Sequence, residues 1–268
     1  MNRLSKTGVG AMLQTLRRFR REGWRSAGAY VQSRLTNAYL RWRNKGSRNV
    51  QCPICGWEGR DFFMLDCGQF VVPHVTCPQC LSQERHRLLH LYLTRRDRDF
   101  LQRQTRVLHF APEAHVRNII DSNPRLLCFS TDFSRDAIQA YKQTAFQSDI
   151  QRLPVKDNVF GTIFCLHVLE HVPDDRVAIS ELHRVLQNGG IAYIMVPLMM
   201  GWAKTIEFGA PDPTIFNHVR GYSPADFRDR LAPLAYEEIT APGFLSTDEI
   251  QRYRIPPDSQ IIYRCTKR

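Results

Sequence analysis

The 268-residue chain has no apolar run long enough to cross a bilayer. Its best candidate, residues 191–203, is thirteen residues long and is interrupted by Pro197. Nothing near the start resembles the apolar core of a signal peptide, so export by that route is not expected. A reducing, cytoplasmic setting is expected instead, where eight cysteines serve metal or core rather than disulfides. Acid is nearly missing from residues 1–48. There Glu22 stands alone against Arg3, Lys6, Arg17, Arg18, Arg20, Arg21, Arg25, Arg34, Arg41, Arg43, Lys45 and Arg48. The remaining 220 residues hold 25 basic and 25 acidic side chains, so the net charge of +11 belongs entirely to this arm. The length allows one catalytic domain plus something small, and a hydrophobic fraction of 43% is ordinary for a chain that buries a core.

In the arm, Val9, Met12, Leu13, Leu16 and Phe19 keep helical spacing, as do Tyr30, Val31, Leu35, Ala38, Tyr39 and Trp42, with arginines on the other faces. Four readings stay open: helices packed on the folded part with solvated arginines, contact with a membrane surface such as the inner face, contact with nucleic acid, or an organellar transit peptide.

Cys52-Pro-Ile-Cys55 and Cys77-Pro-Gln-Cys80 are two CxxC pairs separated by 21 residues. Each pair presents two thiolates from one tight turn, and two such turns close a tetrahedral zinc site. Gly56 supplies the backbone freedom that the first knuckle needs. Residues 61–65 and 70–75 read as short strands between the pairs, giving a zinc ribbon over 49–82. A redox CxxC is the competing reading, and Cys67 and His74 are substitute ligands. A closed four-cysteine site is structural. Cys128, Cys165 and Cys265 fall in apolar strand patterns and read as core. Residues 82–100 read as one long helix with Leu88, Leu89, Leu91, Tyr92 and Leu93 inward and Arg85, Arg87, Arg95 and Arg96 outward.

From residue 105 the pattern becomes alternately strand and helix. Strands are expected at 106–110, 126–130, 162–166 and 191–196, and a helix near 115–120. A second helix begins at Asp174-Asp175, where a helix N-terminus favours acid, and continues through Val177, Leu182, Val185 and Leu186. Asn188-Gly189-Gly190 then turns the chain into the next strand. Such βαβ units build a Rossmann-like, doubly wound, mostly parallel sheet that binds ligands at the carboxyl ends of its strands. Asp132 ends the second strand about 20 residues past the first loop, where dinucleotide-type folds keep a ribose-binding carboxylate. Asp132 or Ser134 also suits the cap of the following helix. Asp149 suits the exocyclic amino group of adenine.

The order of these elements, with SDI…LPVKDNVFGTIFCLHVLEHVPDD and ELHRVLQNGG, resembles class I S-adenosylmethionine-dependent methyltransferases, above all the type 11 group. The likeness covers about 105–268, and the segment CPICG…CPQCLSQERHRLLHLYL resembles the zinc-ribbon leader of a bacterial subgroup. It implies S-adenosylmethionine as cofactor, with His109, Ala111, Glu113, Asp132, Phe133, Asp149, Ile150 and Leu166 around it. The family's first loop reads acid-x-Gly-x-Gly, whereas His109, Ala111 and Glu113 stand here, a variant shared with that subgroup. Gly161 replaces the usual Asp before the fourth strand, which implies no more than a lost helix or loop contact.

Methyl transfer needs alignment, exclusion of water and, for weak nucleophiles, a base. His167, past the fourth strand, is a candidate base or a residue packing the helix start. His167-x-x-Glu170-His171 spells a zinc-peptidase pattern, but Pro173 and the methyltransferase frame speak against that chemistry. Related O-methyltransferases hold a divalent metal with E-x-x-E-H, so a second metal at His167, Glu170 and His171 is an open alternative. His218 is a second base candidate and Arg220 an anion clamp, in a loop that Tyr222 packs and that leads to a helix capped by Ser223. The stretch 197–213 reads as a lid. The organisation expected is a basic arm (1–48), the ribbon (49–82), a connecting helix (83–104) and the catalytic domain (105–268). The acceptor expected is a hydroxyl of a sugar, glycan or other small molecule. RNA gripped by ribbon and arm, and a non-catalytic binding module, are the rivals. The sequence sets no oligomeric state.

Overall fold

The computed structural model describes residues 8–67, 70–140, 145–212 and 216–267. Arg3 and Lys6 of the basic arm lie outside them, as do the side chains of Val9, Arg21 and Glu22. Pro213, at the end of the expected lid, is also outside. The chain divides into two compact units: residues 1–87 with 212–217 and 251–254, and the remainder.

In the first unit, helix α1 (Gly8–Arg43) is broken at Gly23, whose φ of 84° interrupts the helical backbone. The ribbon consists of two antiparallel pairs, β1 (Val50–Gln51) with β2 (Glu58–Gly59), and β3 (Phe63–Asp66) with β4 (Val71–Thr76). Its small core is Val50, Cys52, Phe62 and Cys77. The helix expected over 82–100, which lies mostly in the second unit, is instead two, α2 (Glu84–Arg95) and α3 (Arg98–Gln102). The break falls at Asp97, whose carboxylate caps the Phe100 N–H and also accepts from Tyr193 Oη at 2.6 Å and Arg264 Nε at 3.1 Å. A buried acid with three donors outweighs continued helix.

In the second unit, a seven-stranded sheet has the order β12-β13-β9-β8-β5-β6-β7. Its parallel part is β5 (Thr105–Phe110), β6 (Leu126–Asp132), β7 (Ala145–Gln147), β8 (Phe160–Leu166) and β9 (Leu186–Met195). β13 (Ile262–Thr266) joins β9 antiparallel and carries β12 (Ala235–Ile239) at the edge. β10 (Ile206–Asp212) and β11 (His218–Gly221) form a separate two-stranded sheet, so much of the expected lid is strand. The helices are α4 (Ala114–Asp121), α5 (Arg135–Ala140), α6 (Asp175–Val185), α7 (Pro224–Arg230) and α8 (Thr247–Tyr253). Every residue of β8 is buried, as a central parallel strand requires.

Helix α6 starts at the expected cap, with Asp174 accepting from the Arg176 and Val177 N–H groups at 3.1 Å each. Its inward face is Ala178, Ile179, Leu182 and Val185, whereas Val177, expected inside, is exposed. The helix ends at Val185, earlier than the Asn188-Gly189-Gly190 turn, and that turn lies within β9 with Gly189 at φ 71°. Gly161 proves to be a packing position. A Cβ there would sit 2.1 Å from Thr105 Oγ1, so the glycine lets the start of β8 lie against β5.

Candidate active site

The two knuckles bring their sulfurs together. Cys52 Sγ lies 3.6 Å from Cys80 Sγ and Cys55 Sγ 3.7 Å from Cys77 Sγ, and all four sulfurs fall within 4.8 Å of one another. A tetrahedral zinc with Zn–S of about 2.3 Å spaces its sulfurs about 3.8 Å apart, so the donor set fits that ion. Each knuckle closes in the same way, Gly56 N–H donating to Cys52 O at 2.9 Å and Leu81 N–H to Cys77 O at 3.0 Å. Both closing residues have positive φ, 74° and 62°. Hydrogen bonding from Cys77 holds the Cys52 thiol well below the usual range, and the same bond raises Cys77. Cys67 and His74 stand apart from the cluster: Cys67 points at Leu65 O, and His74 pairs with Asp61 at 2.7 Å. Cys128, Cys165 and Cys265 are buried.

At the carboxyl edge of the parallel strands, Ala111 follows β5 with φ 41°, the left-handed region where the family's loop would carry glycine. Its N–H donates to Thr131 O at 2.9 Å, which ties the loop to β6. His109 is fully buried, and its Nε2 faces the Glu113 N–H at 3.4 Å. Burial pushes this imidazole down to about 4, so it is neutral at neutral pH and shapes the loop from inside rather than facing a ligand. Asp132 ends β6, one of its oxygens accepting the Ser134 N–H at 2.8 Å, and the adjacent Phe133 is 75% exposed. An exposed phenyl ring beside a carboxylate offers a stacking face and a diol acceptor side by side. Asp149 accepts from the Gln151 N–H and from Gln151 Nε2. Ile150 and Leu166 are buried and back the edge rather than line it. This donor set fits a nucleoside: a carboxylate for two hydroxyls, an apolar ring, and a second carboxylate for an amino group.

Past β8 the chain turns at His167, whose φ is 54° and whose N–H donates to Met195 O at 2.8 Å. A short 3-10 turn, Leu169–His171, follows. His167 Nδ1 lies 3.3 Å from Glu170 Oε1, and Glu170 is almost completely buried, with Oε2 lacking a hydrogen-bond partner. Burial alone would raise the Glu170 carboxyl, but the bond from His167 and the neighbouring imidazoles outweigh it and hold the group low. His218, at the start of β11, meets this turn: its ring centroid is 4.9 Å from that of His171. Ligand atoms of Glu170, His171 and His218 all lie within 4.8 Å of one another. The sequence pattern pointed to His167 as the third member of that trio; the fold brings in His218, and His167 braces the carboxylate. Burial lowers the His218 imidazole, which keeps it neutral and able to accept a proton or a metal.

Arg220 is a correction to the anion-clamp reading. It is buried, and its guanidinium donates to Leu169 O at 2.9 Å, Pro173 O at 2.7 Å and Val172 O, and to Glu207 at 2.8 Å. It therefore fixes the turn that carries Glu170 and His171. Tyr222 Oη donates to Asp175 at 2.7 Å and Arg230 to the same carboxylate at 2.6 Å, which pins β11 and α7 to the start of α6. Arg87, expected outward, is fully buried and donates to Val75 O, Ser82 O, Tyr253 O and Arg254 O over the Phe62 ring. Only the wealth of arginine hinted at Arg87, whereas Arg220 was picked out by its loop but for a different role.

Residues 116–194 match the family model described as "Methyltransferase domain". A curated relative, the uncharacterized protein MJ0638 of Methanocaldococcus jannaschii, is 34% identical over 67 residues, 24% of this chain and 29% of its own length. The chain thus matches under a third of that relative. Among solved structures, YcgJ of Bacillus subtilis covers 68% of this chain and 99% of its own, at 17% identity and a TM-score of 0.48. An S-adenosylmethionine-dependent methyltransferase of Mesorhizobium loti covers 62% and 92%, at 13% identity and a TM-score of 0.46. The strand order of the second unit is Rossmann-like, and residues 116–194, across its central strands, match a methyltransferase domain.

Proposed function

We propose that the chain is an S-adenosylmethionine-dependent O-methyltransferase acting on a hydroxyl of a sugar, glycan or other small molecule. The observation that carries this reading is the pairing of a nucleoside-type edge (Asp132, Phe133, Asp149) with a histidine–carboxylate cluster (Glu170, His171, His218) past β8. S-Adenosylmethionine supplies a sulfonium methyl group when bound. Asp132 would hold the ribose hydroxyls, Phe133 the adenine face and Asp149 its amino group, with the Ala111–Glu113 loop against the methionine end. With that group bound, His218, neutral because it is half buried, would accept the proton of the acceptor's hydroxyl as its oxygen takes the methyl group from the sulfonium, which is left as a neutral thioether. Glu170 stabilises the imidazolium that forms.

The same three ligand atoms also suit a divalent cation, with His167 bracing Glu170 from outside. Such an ion would lower the pKa of a bound hydroxyl, and His218 would then hold the ion rather than the proton. The ribbon would hold zinc as a structural ion. The test is labelled-methyl transfer to a panel of hydroxylated small molecules, amines and RNA, with and without added divalent metal. Labelling of hydroxyl acceptors supports the proposal. Labelling confined to amines or RNA overturns the acceptor class, and a metal requirement distinguishes the two roles of His218.

A further inference from the structure

Helix α1 is held to the ribbon by its polar side. Asn37 exchanges both amide hydrogen bonds with the backbone of Met64, at 3.1 and 2.8 Å. Asn44 donates to Asp61 O at 3.0 Å and accepts the Arg60 and Asp61 N–H groups at 2.8 and 2.9 Å. Ser26, Ala27, Ala29, Tyr30 and Ser33 are buried on that side. The opposite side carries Trp24, Val31, Leu35, Tyr39 and Trp42, all exposed, with Trp24 at 70% and Leu35 at 68%. At about 100° per residue these five fall within an arc of roughly 80°. Before Gly23, Met12, Leu13, Leu16 and Phe19 make a second exposed stripe. A surface helix ordinarily turns its apolar stripe inward. This one is anchored by the Asn37 and Asn44 amides and by the Arg18–Asp66 ion pair at 2.8 Å, and it presents its stripe to the outside.

We infer that the outer stripe of α1 is a docking surface for an anionic lipid bilayer. Arginines border it on both sides: Arg25 and Arg43 on one flank, Arg34 and Arg41 on the other. A second copy of the same face would set arginine against arginine, which disfavours self-pairing. Nucleic acid would satisfy the arginines and leave the apolar row in water. A bilayer interface satisfies both, with guanidinium groups among phosphates and indole and leucine side chains at the acyl boundary. Trp24 and Trp42 at the two ends suit the amphipathic belt of that interface. Among the described residues no helix is long and apolar enough to cross a membrane, so the contact lies along the surface.

The test is sedimentation of the full chain with phosphatidylglycerol/phosphatidylcholine vesicles and with phosphatidylcholine alone, with tryptophan quenching by brominated lipid as a second readout. The chain is expected to bind the anionic vesicles at least tenfold more tightly than the neutral ones, with quenching. Leu35→Glu with Trp42→Glu is expected to abolish binding while zinc content and the thermal melt stay unchanged, since both side chains are exposed. Arg25→Gln with Arg41→Gln, one from each flank, is expected to weaken it about 25-fold, at about fivefold per arginine. Three results would overturn the inference: vesicle binding undiminished in the Leu35/Trp42 variant, no vesicle binding by the unaltered chain, or self-association or RNA binding in its place.

Discussion

The imidazoles of His171 and His218 lie edge to face, 4.9 Å between ring centroids, although they are 47 positions apart along the chain. Arg220 creates this pairing by gripping the carbonyls of Leu169, Val172 and Pro173 from β11, two residues past His218. His218→Ala is therefore expected to lower kcat by about 10²- to 10⁴-fold as loss of a base or ligand. Affinity for S-adenosylhomocysteine should change less than twofold, because the nucleoside edge is made by other strands. Equal losses in both would place His218 in cofactor binding instead.

Arg87→Met is expected to cost about 3–5 kcal/mol of stability, read as a fall in chemical-denaturation midpoint. Four backbone carbonyls share that one buried guanidinium, and removing it orphans them together. Arg87→Lys should rescue little, since a single ammonium cannot span partners arranged for a planar fork. A loss under 1 kcal/mol would contradict this account.

Restoring the family's acid at Gly161 should harm rather than help. Any Cβ at this position meets Thr105 Oγ1 at 2.1 Å and Gln187 Oε1 at 3.0 Å, inside the central sheet. Gly161→Asp is expected to destabilise by more than about 2 kcal/mol, with Thr105→Ala recovering part of it in a double-mutant cycle. Additive effects would show that the two positions do not clash.

His109 gives a stability slope with pH. Burial depresses its folded-state pKa from 6.5 to about 4, so the unfolded chain binds more protons between those values. Stability is full above about 6.5 and declines as pH falls toward 4, by a total of about 3 kcal/mol. His109→Gln should remove this part of the slope in denaturation measured from pH 4 to 7. An unchanged slope would mean that His109 stays accessible to protons when folded.

Much of this was legible because it is local. The CxxC spacing announced the cysteine cluster, and the strand edges at Phe110, Asp132 and Leu166 followed from short apolar runs. Ser223 and Asp174 cap the helices that their positions suggested. The misses share a different cause. Arg87 and Arg220 bind carbonyls up to 167 and 51 residues distant, and no local pattern distinguishes such arginines from solvated ones. Asp97 breaks a helix because Tyr193 and Arg264 need its carboxylate. His218 joins the Glu170 turn by topology alone. On α1 the periodicity was plain, but the side that faces the ribbon is the polar one, which composition could not reveal.

The proposed activity depends on the edge formed by β5, β6 and the residues past β7 holding S-adenosylmethionine. Calorimetric titration of S-adenosylhomocysteine into the unaltered chain and into Asp132→Ala tests it most directly. Saturable one-site binding is expected, weakened at least tenfold on loss of the Asp132 carboxylate, with the thermal melt of the free protein unchanged. No binding by the unaltered chain at high micromolar concentration, or equal binding by the two proteins, would contradict it.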